Sequence, residues 1–410
     1  MLSDEVLEKV IEVIANRIEQ GNTYVLEQIG KSIKKIGTLT PTKAQELGQI
    51  LKYGGDYDKI VKKLAEITKL NTRDIKKIFE EVAKKDVNFA KDFYNYRGKK
   101  FIPYEKNTAL KNQVDAITNI MVDNYIARTK AIGFSVKNKK GDLVFKKLES
   151  VYQETIDKAI LSVSQGKSTF DSEMYSIIKE LGSSGLKTLD YENNRTLRLD
   201  SAVRMQMKDA LRTLHNETQM IVGKQFDADG VEISTHLFPA DDHEEVQGKQ
   251  FSNKEYKKLQ KDGIATTYDN IEIDLHRELK SGETAEGFRP ISEYNCYHYV
   301  FAIVLGVNKP QYTNKQLQDI REQNNKGFEY EGKHYSMYEG TQLQRQLELE
   351  IRKQKDTQIM AKASGEDDLV HESQHNISIL TKKYKELSEV SGLPTKMNRM
   401  RVPGYKRKHI

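Results

Sequence analysis

The sequence predicts a mainly α-helical protein with a smaller α/β (α+β) core: a helical N-terminal half, a mixed central domain and long C-terminal helices. Apolar residues recur at three- and four-residue spacing through most of the chain, which lines one face of a helix. That spacing gives way to alternation only near Gly230, and to an apolar run at Tyr299–Leu305. Charged residues make up 31% against 37% hydrophobic, with a mean hydropathy of −0.70, so the solvated surface is large, as long helices provide.

At 410 residues the chain exceeds the roughly 250–300 at which a single core stops growing, so more than one packed region is expected. Val6, Val10, Ile11, Ile14 and Ile18 mark a first helix, with Ser3 as its cap. Thr40-Pro41 starts a second, because proline at the first helical position loses no hydrogen bond, and Gly54-Gly55 ends it. Ile60 to Ile67 and Ile75 to Val82 read as two further helices separated by an Asn71-Thr72 cap. Residues 1–103 are thus expected to be a helical bundle and 104–194 a helical middle region, with a short hairpin between Phe134 and Phe145 around the polar turn at Lys137–Asp142.

The mixed core is placed at 195–315, where Val231, Ile233 and Thr235 alternate and Gly306 closes the Tyr299–Leu305 strand. A helical arm at 316–395 follows, its long helix opening on a Thr341/Gln344 capping pair with Arg345, Glu348, Arg352 and Lys355 along an exposed side. A basic tail occupies 396–410. Its Lys396, Arg399, Arg401, Lys406, Arg407 and Lys408 equal the whole net charge of +6, so the rest of the chain offers no net field for nucleic acid, whereas this segment would neutralise phosphates.

No apolar run reaches the roughly 20 residues of a membrane span, and Asp4 and Glu5 stand where a signal peptide would be basic, so a soluble protein made in the cytoplasm is expected. The single Cys296 excludes a disulfide framework and a Cys-rich zinc cluster. No GxxxxGK[ST] loop occurs, since Gly166-Lys167-Ser168 lacks the upstream glycine, which excludes a P-loop ATPase.

Three blocks stand in a recognisable order: Ser234-Thr235-His236 followed by His243 and Gln247-Gly248-Lys249; Asn295-Cys296-Tyr297-His298; and Tyr338-Glu339-Gly340-Thr341-Gln342 continuing through Arg345. This succession resembles the phage minor capsid protein 2 family, akin to the Mu F-like head morphogenesis proteins. The likeness extends upstream through Ser164-Gln165-Gly166 and the Val203–Thr213 helix. It departs from the family's pattern at Ala240-Asp241, Val246 and Tyr297.

The resemblance implies a Mu F-like central domain and a non-enzymatic, low-copy virion component in the capsid interior near the portal, assembled in the bacterial cytoplasm. The implied partners are the portal protein and the major capsid or scaffolding protein, with no membrane during assembly. Packaged DNA would meet the basic tail, and roles in packaging or ejection follow.

One constellation carries chemistry of its own. His236, His243, Cys296 and His298 offer three nitrogens and one sulfur, an acceptable zinc set if the fold joins them. Spacing alone cannot show convergence across the stretch from His243 to Cys296, and the preferred reading is a polar cluster that locks loops by hydrogen bonds, without cofactor. The alternative function is a metal-dependent enzyme or toxin-like effector using that cluster. Asp241, Asp242, Glu244 and Glu245 read as a solvated acidic loop.

Overall fold

A computed structural model describes residues 4–53, 56–189, 195–236, 238–239, 243–244, 246–261, 296 and 298–406. Helices dominate it: α1 (Asp4–Gly37), α2 (Pro41–Tyr53), α3 (Asp56–Phe89), α4 (Lys91–Tyr96), α5 (Thr108–Lys130), α6 (Leu148–Gln165), α7 (Lys167–Ser184), α8 (Leu199–Gln225), α9 (Asn253–Lys261), α10 (Asn314–Lys326), α11 (Met337–Ser364) and α12 (Asp367–Ser391). Among the described residues there are also three small antiparallel sheets, of four, three and two strands. The mainly α architecture with a smaller mixed part is therefore as the periodicity predicts. Among the described residues no helix is long and apolar enough to cross a membrane. Two compact units emerge: unit 1 from Met1–Ile11, Asp74–Asp123 and Met205–Gly340, and unit 2 from Glu12–Arg73, Asn124–Arg204 and Thr341–Ile410.

Unit 2 is built on one apolar core in which Leu26 and Ile29 of α1, Ile156 of α6, Ile178 of α7, Met360 of α11 and Leu369 of α12 meet. The expected hairpin is present, with β1 (Ile132–Lys137) and β2 (Leu143–Lys147) in a register that sets Ser135 opposite Phe145. Two further short strands, β3 (Lys187–Leu189) and β4 (Thr196–Arg198), extend that sheet. At three residues each they are too short to show the alternation by which a strand is read. Gly166, at φ +106, separates α6 from α7 in a conformation that side-chain-bearing residues rarely adopt.

Asn71 does not separate two helices. It lies buried within the continuous α3, where its amide donates to the Ile14 carbonyl (3.3 Å) and the Tyr125 hydroxyl (3.0 Å), and its carbonyl oxygen accepts from Arg17. A cap-type residue has been spent on tertiary hydrogen bonds, which a helix interior tolerates once the polar atoms are paired.

Of the four charges assigned to the exposed side of α11, Arg345 is exposed, but Glu348, Arg352 and Lys355 turn to protein partners. Glu348 accepts from the buried Tyr384 hydroxyl (3.1 Å), Arg352 donates to Asp200, and Lys355 donates to the Met400 carbonyl (2.7 Å). Burial pulls the Lys355 ammonium down to about 8. Arg352 joins a buried network centred on Arg198, at the end of β4, whose guanidinium reaches Glu19 at 2.9 Å, Asp356 at 2.8 Å and Asp200 at 3.4 Å. Burial works against its charge, but Glu19, Asp356 and Asp200 hold Arg198 well above the usual arginine range. Burial would also raise Asp200, yet Arg352, Arg198 and Arg204 keep it well below the usual carboxylate range.

The end of the chain differs from a free basic tail. A 3₁₀ turn at Met397–Met400 buries Met400 beside Ile351 and Tyr384, and Val402 is buried too. The Thr23 hydroxyl donates to the Pro403 carbonyl (2.7 Å), and the Tyr405 hydroxyl donates to Gln374 (3.1 Å). An apolar minority within the cationic run anchors it: Met400 and Val402 turn inward while Lys396, Arg401 and Lys406 are exposed and Arg399 is half-buried.

Unit 1 contains the sheet formed by β5 (Gly230–Ile233), β6 (Gln250–Ser252) and β7 (Val300–Ile303). With β5 in the middle, β7 is one of the two edges among the described strands, and α8 covers it: Asn216 accepts from the Val300 amide (2.9 Å) and Gln219 from the Ala302 amide (3.3 Å). Edge amides that would otherwise template another strand are satisfied this way. Gly223 permits the approach, since a Cβ there would lie 2.6 Å from that of Ala302. A hairpin unforeseen from the sequence, β8 (Phe328–Tyr330) and β9 (Lys333–Tyr335), follows α10.

Candidate functional site

The pairing of β5 with β7 creates the site. Because the strands are antiparallel, with Ile233 opposite Val300, the residues leaving β5 and those entering β7 lie at the same end of the sheet. The pairing continues past the strands, as the Ser234 amide donates to the Tyr299 carbonyl (2.9 Å) and the Tyr299 amide to the Ser234 hydroxyl (2.8 Å). His236 and His298 thereby come together with ring centroids 4.6 Å apart.

His243 reaches the same place from a loop pinned at both ends. The chain departs after Ile233 and returns so that Gly248 donates to the Ile233 carbonyl (2.9 Å) and Ile233 donates to the Lys249 carbonyl (3.1 Å). Within it, the amides of Val246 and Gln247 turn back on the His243 carbonyl. Gly248 makes the return possible at φ +71, where a Cβ would also lie 2.5 Å from Leu317 and from the Thr235 hydroxyl. The His243 and His298 ring centroids are 5.0 Å apart.

Cys296 lies between the rings, its Sγ 3.5 Å from His298 Nδ1 and 3.9 Å from His243 Nδ1, and it accepts the His298 backbone amide at 3.4 Å. The Gln247 side-chain oxygen accepts from the His236 backbone amide (3.0 Å) and stands 3.2 Å from His298 Nε2. A carbonyl oxygen only accepts, so this contact places the His298 proton on Nε2 and leaves Nδ1 facing the sulfur. His243, Cys296 and His298 are 3%, 6% and 2% exposed, and Val231, Ile233, Val246 and Val300 belong to the same apolar cluster as Cys296. Burial pushes the His298 imidazolium well below its ordinary range, and His236, His243 and Arg212 add to the effect.

The four residues singled out by chemistry in the sequence are thus brought together. Two neighbours carried no sequence signal. Arg212 on α8, itself braced by Asp209 (3.0 Å), donates to the Cys296 carbonyl, and His215 on the same helix pairs with the buried Asp86 at 2.8 Å. Arg212 reaches Cys296 across 84 positions of sequence, and the packing of α8 on the sheet is what brings it there.

The remaining motif residues are structural or lie elsewhere. Gly306 follows β7 at φ +76, as a strand-ending glycine should. Tyr338, Thr341, Gln342 and Arg345 all lie on α11. That helix starts four residues before Thr341, with the capping exchange made by Ser336 and Glu339: the Ser336 amide donates to the Glu339 carboxylate (2.8 Å) and the Glu339 amide to the Ser336 hydroxyl (3.2 Å). Gln344, expected to cap, is instead buried and donates to the Ser388 hydroxyl (2.8 Å). Glu244 accepts from Asn324 and Arg321 rather than meeting solvent alone. Asn295, Asp241, Asp242, Glu245, Arg407 and Lys408 lie outside the described residues, as do Ser3, Gly54 and Gly55.

Comparison with curated proteins and with solved structures finds no match. The family model for phage minor capsid protein 2 matches residues 2–388, which takes in the helical segments, the His–Cys cluster and α11 in one alignment. With nearly the whole chain covered, it belongs to the phage minor capsid protein 2 family.

Proposed function

We propose that this phage structural protein is a low-copy component held at the portal on the inner side of the capsid, where it aids genome packaging or ejection. Its partners would be the portal protein and the major capsid or scaffolding protein. The observation that carries the reading is the continuous family match over residues 2–388, which runs through segments of both units and so applies to the chain as a whole. A non-enzymatic role is supported by the burial of His243, Cys296 and His298, which sit against an apolar cluster of the protein's own core. Lys396, Arg401 and Lys406 present cations on unit 2, and packaged DNA is the proposed ligand for them through phosphate neutralisation.

Quantifying the protein against portal and major capsid proteins by mass spectrometry, in empty heads and DNA-filled virions, tests the proposal. Low copies in both are expected. Presence in empty heads alone would replace retention with an assembly role, and absence from both would overturn the reading.

A further inference from the structure

The His–Cys cluster places three soft and borderline ligand atoms at metal-binding spacing. We propose that His243, Cys296 and His298 bind a single Zn²⁺ ion, with His236 completing a tetrahedral set. The three ligand atoms lie within 4.8 Å of one another. Zinc bonds of about 2.3 Å to sulfur and about 2.0–2.1 Å to nitrogen, at tetrahedral angles, separate sulfur from nitrogen by about 3.5 Å. The observed separations are 3.5 and 3.9 Å, so small side-chain rotations suffice to close the site.

A cation between the groups would engage the sulfur and the imidazole nitrogens at once. The surroundings also suit a coordinated thiolate. The His298 amide points at Sγ, and the Arg212 guanidinium bonds to the carbonyl of Cys296, so positive potential converges on the sulfur. Gln247 performs the orienting task usual around metal-bound histidines: its carbonyl holds Nε2 of His298 and leaves Nδ1 free to coordinate. His236, half-buried with its ring centroid 4.6 Å from that of His298, stands outside the group of three and would supply the fourth donor by rotating towards it. Imidazole nitrogens with one thiolate form a set that zinc accepts and that hard cations such as magnesium or calcium do not. The ion would staple the exit from β5, the 243–248 turn and the entry to β7.

The test uses the full chain purified without chelator. Elemental analysis is expected to find about one zinc per chain, and Co²⁺ added to chelator-stripped protein is expected to give tetrahedral visible absorption with a thiolate charge-transfer band. Because Cys296 is the sole cysteine, that band can come from no other residue. Cys296→Ser should abolish it and His298→Ala should remove the tetrahedral absorption. Gln247→Ala should weaken zinc affinity by about 10–100-fold without changing stoichiometry. His334→Ala, at an exposed hairpin position in the same unit, should change nothing. Wild-type protein with neither zinc nor the cobalt band overturns the proposal without reliance on any variant, as does tetrahedral absorption that survives His298→Ala.

Discussion

The guanidinium of Arg198 is shared by carboxylates 179 and 158 positions away in the chain, Glu19 and Asp356. Arg198→Met would leave these two buried without their main counter-charge and Asp200 with Arg352 and Arg204 alone, and should cost about 3–5 kcal/mol, read as a lowered urea midpoint. Arg345→Ala, on an exposed part of α11, should stay within about 0.5 kcal/mol. Equal losses for the two would remove the special place given to Arg198. The network also sets a pH dependence. Glu19 faces Arg198, Asp200, Asp356 and Arg352, and burial, against the pull of Arg198, pushes it up to about 8 from 4.5. Between those values the folded chain keeps a proton that the unfolded chain gives up, so this contribution is complete below about pH 4.5 and is lost as pH rises towards 8. Asp200 works with the opposite sign, its contribution present above the usual carboxylate range and lost in acid. Glu19→Gln should therefore flatten the fall in melting temperature between about pH 5 and 8; an unchanged slope would assign that fall to other groups.

Among the helices, the start of α11 provides the clearest test, because two candidate caps stand five residues apart. Ser336→Ala removes the observed hydroxyl acceptor and should cost about 1 kcal/mol. Thr341→Ala should cost less than half of that, and the reverse order in denaturation midpoints would restore the start read from the sequence. The same pair shows what sequence can reveal. Periodicity located most helices, and Pro41 marked the start of α2, because local sterics decide those features. Asn71, Glu348 and Arg352 misled because a polar side chain looks alike whether it meets water or a buried partner. At the candidate site the residue types were legible, whereas their convergence depends on the Ile233–Val300 register across a long intervening stretch. The contribution of Arg212 from α8 had no local signature at all.

For the whole molecule, the C-terminal segment must be tested by charge rather than by removal. Truncation after Thr395 would strip Met400 and Val402 from unit 2, and loss of a buried methionine side chain alone costs about 2–5 kcal/mol. Combined reversal at Arg401 and Lys406 should leave the urea midpoint in place, weaken DNA retention on a filter and lower the salt slope by about 0.9 for each phosphate that is no longer neutralised. Unchanged retention at low salt would remove DNA from the proposed ligands of this surface. Unit 2 also draws on chain segments from the beginning, middle and end of the sequence, and the bond from Asn22 to Asp356 closes a separation of 334 residues. A ribosome adding about 5–20 residues per second needs roughly 15–70 s to cover that distance. For that interval the apolar faces of α1 and α6 wait for α11 and α12, so the nascent protein has a longer period of vulnerability to aggregation than its finished core suggests, and its yield in an infected cell should track chaperone supply.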